Sequence, residues 1–103
     1  MLSNTVWLNR QSGAVQAVFT AVCNLAGVER FISFGPVEAE TGLPRNLVRR
    51  ACRHLARRGL LIYDKGLWSD GGQPAGAGYG LTERGHALWL ERNDDGEALE
   101  NEP

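Results

Sequence analysis

A chain of 103 residues has the length of one modest domain, and its 43% hydrophobic and 22% charged residues exclude a disordered polypeptide. No run approaches the roughly 20 apolar residues of a membrane span, and no basic stretch followed by a long apolar one opens the chain, so a cytoplasmic protein is expected. The net charge of −1 conceals an asymmetry: residues 1–90 carry ten Lys/Arg against six Asp/Glu, while residues 91–103 carry one Arg against six acids.

Residues 1–11 contain Val6, Trp7 and Leu8, too apolar for a free tail, and are expected to form an N-terminal arm docked on the body or on a second subunit. A single domain then spans 12–92. Ser12 suits the cap of a helix running to about Ala26, in which Val15, Val18, Phe19, Val22, Cys23, Leu25 and Ala26 recur at three- and four-residue intervals, and Gly27 stops it. That helix bears almost no charge, which suits a central core helix or a subunit contact. Phe31–Phe34 is a short β-type run bounded by Gly35 and Pro36. Pro36 fits the first position of a helix reaching about Thr41, with Val37 and Ala39 facing inward and Glu38 and Glu40 outward. Gly42 supplies a turn, Leu43 plugs the gap behind it, and Pro44 marks the next helix start.

That next helix, about 44–58, is the most informative segment. At about 100° per residue, Val48, Cys52, Leu55 and Gly59 fall on one line with Ala51 beside it. Asn46, Arg50, Arg53 and Arg57 lie opposite, with Arg45 and Arg49 on one flank and His54 on the other. Six of these fifteen residues are arginine, and none is acidic. A merely solvated face mixes signs to gain i,i+4 pairs; a face of one sign is suited to a polyanion.

Gly59 ends the helix. Leu60–Tyr63 is a strand, continuing through Leu67 and Trp68 unless Asp64–Gly66 turns it. Ser69–Gly78 is a Gly/Pro-rich tip, and Tyr79–Thr82 is the returning strand, so 60–82 forms a two-stranded wing. The glycines there do not cradle a phosphate, since no Gly-Lys-Ser/Thr signature accompanies them. Thr82 caps a last helix, Glu83 to about Arg92, whose Ala87, Leu88 and Leu90, with Leu81 before it, can pack on the core while Trp89 points elsewhere. Residues 93–103 are acidic and expected to be disordered, either as a solubilising terminus or as a competitor of DNA for the arginines.

The predicted fold class is mainly α with a small antiparallel β-wing (α+β). Gly42-Leu-Pro44, Val48-x-x-x-Cys-x-x-Leu55, Arg57-Arg-Gly-Leu-Leu-Ile62 and Tyr79-Gly-Leu-Thr-Glu-Arg-Gly85 together resemble the winged helix-turn-helix fold, and the last two look like MarR- and PadR-type bacterial regulators. The resemblance covers about residues 12–91. It departs from those regulators in lacking their long terminal helices and in a wing whose cations are Lys65 and, beyond the second strand, Arg84.

The resemblance implies sequence-specific binding of double-stranded DNA by a small transcriptional regulator, of a size suited to a phage or mobile element, with the 44–58 helix in the major groove. Arg45, Asn46, Arg49 and Arg50 would then reach base edges, and Arg53, Arg57 and Lys65 phosphates. A homodimer is expected from the apolar first helix, Trp7 and Trp89. The rival reading is a protein-interaction module whose arginine face meets an acidic partner.

No catalytic constellation is evident: His54 and His86, the two histidines, have no paired carboxylates or cysteine ligands nearby in sequence. No metal-ligand spacing appears, and no cofactor or metal is expected. Cys23 and Cys52 each lie within apolar helical patterns, as small buried thiols do; a disulfide or redox pair is the sharper alternative.

Overall fold

The computed structural model describes residues 3–27, 30–68 and 74–100, with side chains described except at 66–68, 74–76 and 93–100. The N-terminal residues form a short helix, α1 (Asn4–Asn9), capped by Ser3, whose Oγ accepts the Val6 amide at 3.2 Å. α2 (Gly13–Ala26) is capped in the same way by Ser12, which accepts from the Val15 amide at 3.3 Å, and Gly27 closes it. β1 (Phe31–Ser33) leads into α3 (Phe34–Thr41), and α4 (Arg45–Arg57) follows after three residues. β2 (Leu61–Trp68), β3 (Pro74–Leu81) and α5 (Glu83–Glu100) complete the chain.

α3 begins two residues before Pro36, so Phe34 is helical rather than part of the strand. The physical allowance is unchanged, because any of the first four amides of a helix lacks an intrahelical acceptor and a proline there removes nothing. Val37 is buried as expected, but Ala39 is exposed: eight residues make barely two turns, and one narrow line of them reaches the core. Gly42 adopts φ 71°, a left-handed conformation that an L side chain rarely takes, and its amide donates to the Glu38 carbonyl at 2.8 Å. The Thr41 hydroxyl then accepts the Leu43 amide at 3.2 Å, which fixes the direction in which α4 leaves.

The sheet has three strands rather than two, in the order β1-β3-β2, all antiparallel. β1 pairs with β3 through Phe31↔Gly80 and Ile32↔Tyr79. β2 pairs with β3 through Leu61↔Leu81, Ile62↔Gly80 and Tyr63↔Tyr79, with an irregular register between Asp64 and Leu67. The wing strands are longer than the apolar pattern suggested. β2 passes through Asp64–Gly66, and β3 starts at Pro74, because ladder hydrogen bonds ask nothing of side-chain polarity. The tip, 69–73, lies outside the described residues.

Phe19, Val18, Val22 and Cys23 of α2, Val37 of α3, Val48, Cys52 and Leu55 of α4, Leu60, and Leu88 of α5 form one core, to which α1 adds Leu8. Trp89 packs against this core and Leu90 is 46% exposed, the reverse of the sequence expectation; Ala87 is exposed as well. α5 also runs on to Glu100, through the segment expected to be disordered. Residues 101–103 are outside the described part. Cys23 and Cys52 are free thiols, and burial pushes each up to about 12.

The start of α5 is tied to the end of α4 by Thr82. Its hydroxyl donates to the Gly59 carbonyl at 2.5 Å and accepts the Gly85 amide at 3.0 Å, while its own amide donates to the Leu60 carbonyl at 3.2 Å. Gly85 lies so close to the Leu60 carbonyl that a Cβ there would collide with it. The Leu-Thr-x-x-Gly run is therefore a latch: it holds α5 against the chain segment leaving α4, and so holds α4 in place.

Candidate nucleic-acid interface

α4 has a sharply two-sided surface. Val48, Ala51, Cys52 and Leu55 are buried, whereas Arg45, Asn46, Arg49, Arg50, Arg53 and Arg57 are all exposed. Lys65 is exposed on β2. Like charges three or four residues apart on a helix, such as Arg45 and Arg49, Arg49 and Arg53, or Arg53 and Arg57, each destabilise it by roughly 0.2–0.5 kcal/mol. The core contacts of the buried line offset that repulsion, and an anionic partner would relieve it.

The two flanks of this face meet different neighbours. Arg45 and Arg49 lie on one flank, Arg45 toward α3. Arg45 Nε and Nη2 both donate to Glu38 Oε2 of α3, at 3.0 and 2.8 Å, so one arginine of the acid-free helix is compensated from outside it. Among the described residues, Arg49, Arg50, Arg53 and Arg57 have no such ion pair. Burial raises the Tyr79 phenol above its ordinary value, Cys52 adds to this, and the positive charges of Arg53 and Arg49 act against it.

Arg50 and Arg57 lie on the opposite flank. With Arg53, Leu47, Ala51 and His54 they line a groove of about 430 Å³ against Ser12, Ala14 and Val15 at the start of α2. His54 is part-buried. Its ring stacks on Trp7 of α1 at 5.2 Å, with an interplanar angle of 29°, and its Nε2 shares a 2.7 Å hydrogen bond with Gln11 Oε1. Arg58 sits with its guanidinium carbon 5.2 Å from the Trp7 ring centroid and donates from Nε to Asn4 Oδ1 at 3.0 Å. α1 thus braces the C-terminal half of α4 and occupies Arg58. Neither the Trp7–His54 pair nor the Glu38–Arg45 pair carries a sequence signal, because each joins residues on different helices.

Among the described residues no group of three or more His, Cys, Asp or Glu side chains could hold a metal ion, and no described helix is long and apolar enough to cross a membrane. No family model matches the chain, and no curated protein matches it in sequence. Solved structures do match. The Bordetella bronchiseptica protein BpsR, whose DNA binding is regulated by 6-hydroxynicotinic acid, is similar at TM-score 0.64 and 20% identity, over 92% of this chain and 71% of its own. NMB1585, a MarR family regulator from Neisseria meningitidis, is similar at TM-score 0.64 and 18% identity, over 96% of this chain and 64% of its own. The fold is thus the winged helix-turn-helix, with α3 and α4 as the helix pair and β2–β3 as the wing.

Proposed function

We propose that this protein binds double-stranded DNA sequence-specifically as a transcriptional regulator, with α4 in the major groove. The observation that carries the reading is the exposed, acid-free arginine face of α4, held rigidly on a winged helix-turn-helix scaffold. Arg45, Asn46, Arg49 and Arg50, on the N-terminal half of α4, are assigned to base edges; arginine suits guanine O6 and N7, and asparagine suits adenine. Arg53 and Arg57, further along the helix, and Lys65 on the wing are assigned to phosphates, which fix position without reading sequence. The solved structures similar to this chain include proteins described as a DNA-binding protein and a MarR family regulator, which supports the class of function.

The active form in this proposal is a homodimer. Trp7 and Trp89, from which the sequence suggested an intersubunit contact, pack within the chain. The support moves to Val6 and Leu90, 41% and 46% exposed on α1 and α5, two helices that touch through a 2.7 Å hydrogen bond from Thr5 Oγ1 to Glu91 Oε2.

The test is selection of bound duplexes from a random pool, followed by titration of an enriched and an unrelated duplex across a salt series. Enrichment of a palindrome and a steep log–log dependence of affinity on salt are expected. No enrichment, or a shallow salt dependence, sinks the proposal in favour of an acidic protein partner.

A further inference from the structure

Within that DNA-binding reading, we propose that Tyr63 is a further DNA-contacting residue, whose phenolic hydroxyl donates a hydrogen bond to a backbone phosphate at the base of the wing. Tyr63 stands opposite Tyr79 in the β2–β3 ladder, so both side chains leave the same face of the sheet. Tyr79 on that face is buried in the core. Its ring lies 6.0 Å from Phe34 on one side and 5.1 Å from Tyr63 on the other. Tyr63 is the outermost member of this aromatic row, and it is 50% exposed. The positive charges of Arg53 and Arg49 on α4 act on Tyr79 in the middle of this row. Tyr63 therefore stands at the base of the wing on the core-facing side of the sheet, the side on which α4 packs, rather than on its outer surface.

Two further features make it a contact rather than a filler. Among the described residues its hydroxyl has no hydrogen-bond partner, although the ring is held by Tyr79. A tyrosine braced in this way has two side-chain torsions to fix, so little entropy is lost when the hydroxyl engages. The register irregularity lies between Asp64 and Leu67, so Tyr63 sits one residue before the last regularly paired position, where the wing departs from the sheet. A rigid neutral donor there complements a wing whose described cation is Lys65. Because the donor is uncharged, it adds affinity without releasing a counterion.

The experiment compares the full-length wild-type chain with Tyr63→Phe and Arg57→Ala on a selected and an unrelated duplex between 50 and 300 mM salt. Tyr63→Phe keeps the ring, and its melting temperature should match the wild type. Its binding should weaken about tenfold on both duplexes, with the slope of log affinity against log salt unchanged. Arg57→Ala should instead flatten that slope by about 0.9. Wild-type affinity in Tyr63→Phe alongside a weakened Arg57→Ala overturns the Tyr63 assignment and leaves the DNA reading standing. Loss confined to the selected duplex overturns the phosphate role. Absence of DNA binding by the wild-type chain overturns the DNA reading itself, and the Tyr63 assignment with it.

Discussion

Glu38→Gln isolates the ion pair that, among the described residues, ties an acid to the arginine face. In the folded chain both Nε and Nη2 of Arg45 reach a single carboxylate oxygen, and the two side chains are 58% and 28% exposed for arginine and glutamate. An ion pair this accessible contributes about 0.2–1 kcal/mol to stability, so the melting temperature should fall by no more than a few degrees. The effect on DNA binding should be larger and of opposite sign. The substitution removes a negative charge from the binding face and frees Arg45 from its competitor. If Arg45 then neutralises one more phosphate-equivalent charge, the log–log salt slope steepens by about 0.9. The ratio of variant to wild-type affinity would consequently change about 3.5-fold between 50 and 200 mM salt, with the advantage at low salt. Fluorescence anisotropy on a labelled duplex over that range measures it directly. Parallel salt plots for the two proteins would refute the reasoning, since they would mean that Glu38 does not compete with DNA for Arg45.

Three other outcomes are expected. Arg50→Ala should weaken binding selectively at one base position, and Arg57→Ala should weaken it evenly across sequences; equal losses on every duplex in both variants would dissolve the division of roles. Gly85→Ala forces a Cβ against the Leu60 carbonyl and strains the Thr82 latch, and should lower the melting temperature by roughly 5–15 °C, read by circular dichroism. A change below two degrees would show that α5 can shift freely. The two thiols titrate in the folded chain near 12 rather than at their ordinary 9.0, so the unfolded chain releases their protons first as pH rises. Their stabilising contribution is complete below pH 9 and is lost as pH climbs toward 12. A melting temperature that falls across that window, and a thiol reagent that reacts at pH 8 only once denaturant is added, would agree; rapid labelling of the folded chain would not.

How much of this molecule could be read from its residues depended on how locally each feature is determined. The bounds of α2 follow from Ser12 and Gly27, and those of α4 from Pro44 and Gly59, because caps and stops act through the backbone of their own neighbourhood. The buried line of α4 is legible for a similar reason: a period of about 3.6 sorts fifteen residues into faces without reference to the rest of the chain. The exposure of Arg45, Asn46, Arg49, Arg50, Arg53 and Arg57 came with it. Short segments failed that treatment. Three residues of β1 have no measurable period, and their place beside β3 depends on a partner about fifty residues away. Trp89 and Leu90 were exchanged because adjacent apolar residues on one helix leave its inward direction undetermined until the body is present.

The sequence by itself therefore determined the chemistry of the candidate interface: a helix of one charge sign with an apolar spine, closed by a glycine and followed by a wing. Only the tertiary structure decided which of those cations are available and what stands beside them. Glu38 meets Arg45 because Gly42 turns α3 toward α4. Trp7 and Asn4 occupy Arg58 because α1 folds back onto the helix. Tyr63 lies on the core-facing side of the sheet because the register of β2 on β3 places it opposite Tyr79. Each of these is a meeting between elements, and the physical reason they were invisible is that side-chain direction in one element says nothing about which neighbour the fold will bring against it.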